Sequence, residues 1–499
     1  MTATTLPWAI PLLTADEIRA AERDWFAGGH DSFDLMQEAA AGVANILNRL
    51  TGGEPCRCLV LAGPGNNGGD ALVVAHLLET GGHAVTVVGM PPAGGWAGDA
   101  ARARELWAGP MLDPQDPWPE ADLIVDGLFG IGLARPLEGV AADLVRRVNA
   151  SDTPVIAIDL PSGIDSETGQ VLGEAVIARL TATFHTLKPG LLLFPGRLLA
   201  GQPEILGIGL PLGNSRLWRN GPGLWRLPEP SPMDHKYSRG GALVWSGPQL
   251  QTGASRLAAQ AALRAGAGAV TLVGPAEALR VHAAHVTAIM LREGDAQGFG
   301  RLLASDKVRA ACVGPGAGEG VRCVAGAALQ SGKALVLDAD ALAAFEGQAD
   351  HLARLVRRHP RPVVLTPHEG EFRRLFPDLS GGKVERARAA AALTGAVVVL
   401  KGCDSVIAAP DGRAAINANA PKWLATAGSG DVLAGIVTGF LAQGMEGFEA
   451  ASAAAWMHGA TASRLGPALT AEDLVELPAF RDAWLEAIGR IEAETEDRP

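Results

Sequence analysis

The first half of the chain alternates between helical spacing of apolar residues and short apolar runs. The spacing predicts helices over residues 14–27 and 33–50, and Thr14 and Glu17 stand at capping-box spacing at the start of the first. The apolar runs are CLVLAG, HAVTVVG, ADLIVDG and TPVIAIDLPSG. Such short Val-, Ile- and Leu-rich runs are typical of parallel strands buried on both faces. This half therefore predicts a doubly wound α/β domain.

The periodic pattern stops at about residues 211–235, which are rich in Pro, Gly, Asn and Trp. We place a domain boundary there, giving domains 1–222 and 223–499. A second alternation follows, so the C-terminal domain is also predicted to be α/β. Its predicted helices are 253–266, 320–331 and 430–443, and its predicted strands, the last followed by a hairpin, are GALVWSG, AVTLVG, AACVGPG, ALVLDAD, PVVLTP and AVVVLKG.

Composition narrows the function classes. The chain has 499 residues, 48% hydrophobic and 19% charged, with a formal net charge of −12. An acidic chain is a poor general partner for nucleic acid or anionic membranes. The N-terminus has no basic segment followed by an apolar one, and no run of 18 apolar residues occurs. The number of cysteines, five, is odd, and we interpret them as reduced thiols. We therefore expect a cytoplasmic protein. Self-association into a homo-oligomer stays open.

The glycine-rich loop PGNNGGD follows the first apolar run. Ligands of open α/β sheets bind beyond the carboxyl ends of the strands, so this loop is a candidate site. We expect Asp70 to open the next helix, whose first N–H groups favour anions. The alternative is that Asp70 only caps that helix.

Two further strand ends carry oxygen ligands. Asp126 ends one run, Asp159 ends the next, and Ser162 lies in the turn after it. Carboxylate, amide and hydroxyl oxygens are hard ligands for alkali or alkaline-earth cations. Lys188 offers a positive charge to a phosphate, unless it is an ordinary surface lysine. Asp159 is the best candidate for acid/base work, with binding of a hydroxyl as its alternative role.

These motifs resemble the NAD(P)HX epimerase domain family. The resemblance rests on GPGNNGGDALVVAHLL, VDGLFGIGLARP, IDLPSGID and TFHTLKPGL and spans about residues 10–215. It implies a Rossmann-like fold that interconverts the R and S epimers of hydrated NADH and NADPH. It implies a potassium site of Asn67, Asp126 and Ser162. The implied substrate contacts, besides Asp159, are Asn66, Asn67, Gly68, Gly69, Asp70, Gly130, Ile131, Gly132, Leu133, Ala134, Arg135 and Pro136.

In the C-terminal half, the segment TAGSGDVLAGIVTGFL carries the clearest chemistry. Gly428, Gly430 and Asp431 precede a long apolar helix. Backbone N–H groups in such a turn bind a phosphoryl group in transfer, and Asp431 is placed to take a proton from an attacking hydroxyl. The alternative is a helix capped by Ser429 or Asp431. Glycines and polar residues also follow the other predicted strands: Gly314, Gly316, Gly318, Asp338, Asp340, His368, Glu369, Glu371, Lys401 and Gly402.

In this order the C-terminal motifs resemble the ribokinase-like superfamily, and within it the ADP- or ATP-dependent NAD(P)H-hydrate dehydratases. The resemblance covers about residues 230–480 and implies Mg²⁺ and an adenine nucleotide, which we expect to be ADP. It departs at Lys236-Tyr237 and at Ser246-Gly247-Pro248, where the family has a Lys-Gly pair and a GGS-like turn. It implies that the nucleotide contacts Lys401, Gly402, Cys403, Asp404, Ser405, Gly428, Ser429 and Gly430. It implies that the hydrate contacts Ala254, Gly318, His368 and Asp431.

Three functions fit these patterns. The first is a bifunctional repair enzyme that epimerises hydrated NAD(P)H and dehydrates its S form. The second is a ribokinase-type small-molecule kinase with an N-terminal nucleotide-binding regulatory domain. The third has an N-terminal domain that only binds other proteins, which the set of Asn67, Asp126, Asp159 and Ser162 disfavours. We expect the first.

Overall fold

The structure, a computed structural model, describes residues 10–496 and divides them into two compact units, Ile10–Ser215 and the residues from Arg216 onward. The predicted boundary at residue 222 lies a few residues after this division. No helix within the described residues is long and apolar enough to cross a membrane.

The N-terminal unit alternates strands and helices as its apolar runs predict. Its strands are β1 (Ile10–Pro11), β2 (Arg57–Ala62), β3 (Ala84–Gly89), β4 (Met111–Leu112), β5 (Leu123–Gly127), β6 (Val155–Ile158), β7 (Leu180–Phe184) and β8 (Gln202–Leu206). Its helices are α1 (Ala15–Ala27), α2 (Ser32–Leu50), α3 (Asn66–Thr80), α4 (Gly98–Leu106), α5 (Gly139–Asn149) and α6 (Gly196–Leu199). The predicted capping box of Thr14 and Glu17 is confirmed.

A parallel sheet with the order β4-β3-β2-β5-β6-β7-β8 forms the centre of this unit. Apolar residues of α2, α3 and α4 pack on one face and those of α5 on the other. Both faces are therefore buried, which explains the nearly continuous apolar strands. The strand order reverses between β2 and β5, and such a switch point opens a crevice at the carboxyl ends.

The C-terminal unit also alternates strands and helices. Its strands are β9 (Leu217–Arg219), β10 (Gly241–Trp245), β11 (Ala269–Gly274), β12 (Met290–Glu293), β13 (Val308–Val313), β14 (Ala334–Leu337), β15 (Val363–Leu365), β16 (Val397–Leu400), β17 (Val406–Ala408) and β18 (Ala414–Ile416). Its helices are α7 (Thr252–Arg264), α8 (Ala276–Ala283), α9 (Ala296–Leu303), α10 (Val321–Leu329), α11 (Ala339–Ala343), α12 (Ala349–Val356), α13 (Glu369–Leu375), α14 (Lys383–Thr394), α15 (Ser429–Ala442), α16 (Gly447–Leu465) and α17 (Leu477–Glu496).

The strands of this unit run in the order β9-β18-β17-β16-β15-β14-β13-β10-β11-β12. The predicted hairpin is confirmed as the antiparallel pair β17 and β18. Strands β10 to β16 pair in parallel, so their carboxyl ends and the loops that follow them share one edge. Helix α15 packs tightly on α7, and both contribute to the large apolar core.

Candidate active sites

The glycine-rich loop after β2 is more helical than predicted. Helix α3 begins at Asn66, so Asp70 lies in its second turn and neither opens nor caps the helix. The reason is close packing: a Cβ on Gly68 would overlap the carbonyl of Gly63. A glycine-rich composition usually indicates a loop. Here glycine is required because the helix lies too close to the preceding backbone for a Cβ.

A pocket of about 150 Å³ lies at the carboxyl edge of the N-terminal sheet. It brings together several predicted residues: Asn66, Asp70, Ile131, Asp159 and Lys188. Gly132 to Pro136 do not line it, and Ala134, Arg135 and Pro136 are exposed.

Asp159 and Lys188 form a buried ion pair at this pocket. The Lys188 ammonium donates to Asp159 Oδ1, to Thr183 Oγ1 at 2.9 Å and to the Phe184 carbonyl at 2.8 Å. Since the three ammonium donors all have partners, the expectation that Lys188 is available to a phosphate is wrong, and so is the surface-lysine alternative. Lys188 instead holds one oxygen of Asp159. Asp159 Oδ2 points toward Gly130, 3.3 Å from where a Cβ would stand.

Carboxylates crowd the same pocket. Burial, followed by repulsion from Asp159 and Glu22, raises the pKa of Asp70 well above its usual value. Burial and Asp159 likewise raise the pKa of Glu22. Glu22 lies on α1, and sequence reasoning missed it because one more glutamate on a charged amphipathic helix gives no signal. The pocket therefore contains two carboxyl groups, those of Glu22 and Asp70, that hold a proton to a higher pH than a free carboxyl group does.

Asp126 and Ser162 contact each other beneath the pocket. Ser162 donates to Asp126 through its hydroxyl at 2.6 Å and through its backbone N–H at 2.8 Å. Burial raises the pKa of Asp126 to about 6, although hydrogen bonds from Ser162 and Leu128 oppose the shift. Asn67 is close by: its backbone carbonyl stands 3.0 Å from where a Cβ on Gly127 would be. The buried Nδ2 of its side chain has no hydrogen-bond partner among the described residues.

In the C-terminal unit, Asp431 lies in the first turn of α15 beside a turn that only glycine fits. Gly428 precedes the helix with a φ of 88° and no side chain caps α15, because Ser429 Oγ donates to the Leu424 carbonyl at 3.0 Å instead. The capping alternative for Ser429 and Asp431 is therefore wrong. The first N–H groups of α15 remain free of side-chain caps.

Carboxylates surround one lysine near Asp431. Lys401 Nζ lies 2.7 Å from Asp338 Oδ1 and 3.9 Å from Glu371 Oε2. Burial raises the pKa of Asp431 to about 6, with repulsion from Asp338 adding to the shift and attraction by Lys401 opposing it. A carboxylate with this pKa accepts a proton at neutral pH more readily than a free aspartate.

A pocket of about 470 Å³ adjoins this cluster. Predicted nucleotide contacts line it: Lys401, Gly402, Cys403, Ser405, Ser429 and Gly430. Asp404 does not line it and forms an ion pair with Lys383. Sequence reasoning missed His458, which lies in the apolar helix α16 and lines this pocket. Within the part of the chain that the structure describes, its buried Nε2 has no hydrogen-bond partner.

Hydrogen bonds or helical structure fix the positions of three residues of this unit that are predicted to contact the hydrate. His368 caps α13, because its Nδ1 accepts from the N–H of Gly370 at 2.9 Å and of Glu371 at 3.2 Å. Its backbone pairs with Lys401 and places it at the same sheet edge. The Gly318 N–H donates to Asp340 at 2.9 Å, and Ala254 lies in the first turn of α7.

Each of the two α/β units has a pocket at the carboxyl edge of its sheet and carboxylates of raised pKa in or beside that pocket. This arrangement defines an enzyme with two active sites. Profiles of two families match the chain: the YjeF-related protein N-terminus over residues 32–190 and NAD(P)H-hydrate dehydratase over residues 242–475. The chain belongs to the family of bifunctional NAD(P)H-hydrate repair enzymes, as its motifs predict.

Relatives that align over nearly their whole length support this family assignment. The bifunctional NAD(P)H-hydrate repair enzyme of Salinibacter ruber is 37% identical, with 94% of this chain and 95% of that protein aligned. The Synechocystis enzyme is 35% identical, with 97% of both proteins aligned. A solved structure of ADP/ATP-dependent NAD(P)H-hydrate dehydratase from Bacillus subtilis, co-crystallised with ATP and Mg²⁺, is 29% identical. It covers 52% of this chain and 94% of its own, with a TM-score of 0.45.

Proposed function

We propose that the N-terminal pocket epimerises hydrated NAD(P)H and that Asp159 moves the proton. Lys188 donates to Asp159 Oδ1, while Oδ2 faces the pocket beside Gly130. Epimerisation breaks the bond between the hydrated carbon and its hydroxyl oxygen and re-forms it on the opposite face. Asp159 Oδ2 gives a proton to the departing hydroxyl, which leaves as water, and takes a proton back from the water that adds. Asn66, Asp70 and Ile131 contact the substrate from the pocket wall.

A potassium ion fits the oxygen-rich cluster below the pocket. Asp126, Ser162 and Asn67 supply hard oxygen donors. We propose that these three residues bind K⁺. A bound K⁺ would supply positive charge beside Asp126, which would favour the ionised carboxylate.

In the C-terminal unit, we propose that the hydroxyl of the S hydrate is phosphorylated before it leaves. Asp431 takes the hydroxyl proton as the oxygen attacks the terminal phosphorus of the nucleotide, and the N–H groups of the Gly428–Gly430 turn bind the moving phosphoryl group. The carbon–oxygen bond then breaks, phosphate leaves, and loss of a ring proton restores the dihydronicotinamide. ADP gives AMP and phosphate, or ATP gives ADP and phosphate.

Magnesium fits the charge of this site. Asp338, Glu371 and Asp431 lie around the ammonium group of Lys401, and Asp340 adds to the negative charge near Asp431. The cluster of these five residues is therefore negative overall. Mg²⁺ binds through carboxylates and phosphates and neutralises charge on the transferring group. We propose that the nucleotide lies along Lys401 to Cys403 and Ser405 and against His458, and that ADP is the preferred co-substrate.

The observation that carries the dehydratase assignment is Asp431, a carboxylate with a raised pKa beside an uncapped glycine turn and a nucleotide-sized pocket. The test is incubation with the S hydrate and ADP, followed by the near-ultraviolet absorbance of dihydronicotinamide. Recovery of that absorbance supports dehydration. A stable phosphorylated product without recovery supports the alternative, a ribokinase-type kinase.

We propose a cytoplasmic location, which the odd number of cysteines, five, favours. Hydrated NADH and NADPH and an adenine nucleotide are the proposed partners, and nucleic acid and membranes are not. A homo-oligomer remains a proposal, as does the exact domain boundary near residue 222.

A further inference from the structure

A second cluster of ligating side chains lies in the N-terminal unit, away from the pocket. Cys56 precedes β2, Cys58 is in β2, and His83 precedes β3. The starts of these two parallel strands meet at one edge of the sheet. The two sulfurs are 3.5 Å apart, Cys56 Sγ is 3.3 Å from His83 Nδ1, and all three ligand atoms lie within 4.8 Å of one another.

These separations fit a thiophilic metal ion. Tetrahedral zinc, with Zn–S near 2.3 Å and Zn–N near 2.0–2.1 Å, holds two sulfurs about 3.8 Å apart and a sulfur and a nitrogen about 3.6 Å apart. The distances from Cys56 Sγ to Cys58 Sγ and to His83 Nδ1 are shorter by only a few tenths of an ångström. Small side-chain rotations therefore open the cluster enough for the ion.

The histidine is oriented as a metal ligand. His83 Nε2 lies 2.8 Å from Asn48 Oδ1, and since a carbonyl oxygen only accepts, Nε2 carries the hydrogen. The lone pair of Nδ1 is then directed at the sulfurs, as in metal-binding histidines whose other ring nitrogen donates to an oxygen of the protein. Nδ1 accepts a bond from the Cys56 N–H at 3.2 Å, which a metal–nitrogen bond would replace.

We propose that Cys56, Cys58 and His83 bind one thiophilic metal ion of the Zn²⁺ class through their two Sγ atoms and Nδ1, with solvent as a fourth ligand. Each thiol releases its proton to solvent as its sulfur–metal bond forms. Thiolate and imidazole ligands select Zn²⁺ or Cu⁺ over Mg²⁺ and Ca²⁺. Cys58 and His83 are buried and Cys56 is half-buried, so solvent reaches the cluster past Cys56.

This cluster is independent of the proposed epimerase chemistry. It lies at the amino end of β2, whereas the pocket lies beyond the carboxyl end, six residues or about 20 Å along the strand. The ion would tie β2, β3 and, through Asn48, α2 together. Loss of the metal is thus expected to lower stability while leaving the proton-moving groups in place.

The direct test is a Co²⁺ titration of the metal-free, untagged full-length chain. A sulfur-to-cobalt charge-transfer band in the near ultraviolet should grow to saturation at one equivalent, and Zn²⁺ should abolish it while Mg²⁺ does not. Absence of the band would overturn the proposal. This readout needs no variant, so a folding defect does not confuse it.

Variants then assign the ligands by equilibrium dialysis with Zn²⁺. Cys58→Ser and His83→Ala should each weaken binding by about 100-fold or more, and Asn48→Ala by about 10–100-fold. The matched control is Cys323→Ser, an exposed cysteine of α10, which should bind as the unaltered chain does. Binding that survives Cys58→Ser and disappears in Cys323→Ser contradicts the site. His83→Ala should keep its epimerase rate.

Discussion

At the residue scale, the raised pKa of Asp431 predicts how the dehydration rate depends on pH. Burial and Asp338 raise this pKa to about 6, so the proton-accepting form is lost as the pH falls through that value. The rate of ADP-dependent dehydration of the S hydrate should therefore have an acid limb with an apparent pKa near 6. A pH–rate profile on pure S hydrate checks this, since that substrate does not need the N-terminal site. A flat rate down to pH about 4.5 argues against Asp431 as the base.

Removing the carboxylate should have a larger effect. Asp431→Asn keeps the shape of the side chain and loses the proton acceptor, so the dehydration rate should fall by about 10²–10⁴-fold. Asp306→Asn, at an exposed position, is the matched control and should be unaffected. Epimerisation should stay normal in both variants. An active Asp431→Asn variant would contradict the proposed role.

The buried ion pair of Lys188 and Asp159 predicts how substitutions at these residues change the stability of the N-terminal unit. Lys188→Met leaves the buried Asp159 carboxylate without its cation, which should destabilise the N-terminal unit by about 3–5 kcal/mol. The double variant with Asp159→Asn should recover much of this loss, because the uncompensated charge is gone. Thermal unfolding of both variants measures the difference. Equal stability of the single and double variants would show that the pair is not coupled.

At the element scale, the close approach of α15 and α7 sets the position of the phosphoryl-binding turn. A Cβ on Gly435 would clash with the carbonyl of Ala258, and a Cβ on Gly439 would stand 2.5 Å from that of Ala262. Any residue larger than glycine pushes α15 away, and Asp431 and the Gly428 turn move with it. Small residues here serve the active site as well as the core.

Gly435→Ala should therefore cost about 1–3 kcal/mol and weaken ADP binding. Gly326→Ala in α10, where a Cβ meets nothing within 4 Å, is the matched control and should be neutral or stabilise the protein by about 0.4–1 kcal/mol. Thermal unfolding and nucleotide titration distinguish the two. A Gly435→Ala variant with normal stability and affinity would contradict the packing argument.

Elements buried on both faces are the ones that the sequence predicts well. Strands such as β2 and β16 have continuous apolar runs that only a covered strand requires. Strand β8, QPEIL, is partly exposed at the sheet edge, so its polar residues hide it. The start of α3 was predicted too late because glycines needed for close packing resemble a loop.

The site residues likewise divide into those that a local sequence pattern predicts and those that it does not. Asp126, Asp159 and Asp431 are predictable because they end strands or open a helix at a sheet edge where ligands bind. Lys188, Glu22 and His458 acquire their surroundings only through contacts between distant segments. Lys188, for example, meets Asp159 across 29 residues of chain. No local pattern distinguishes such a lysine from one on the surface.

At the scale of the whole molecule, two independent sites in one chain process both epimers of one damaged cofactor. The N-terminal site converts the R hydrate into the S hydrate that the C-terminal site consumes. Asp159→Ala should therefore block repair of the R hydrate and leave repair of the S hydrate intact. Asp431→Asn should block repair of both.

The most direct test is recovery of dihydronicotinamide absorbance from pure R and pure S hydrate, each with ADP and Mg²⁺, by the unaltered chain and by Asp159→Ala. The account predicts that the unaltered chain restores both substrates and that Asp159→Ala restores only the S hydrate. Equal restoration of the R hydrate by Asp159→Ala would contradict the assignment of epimerisation to the N-terminal site.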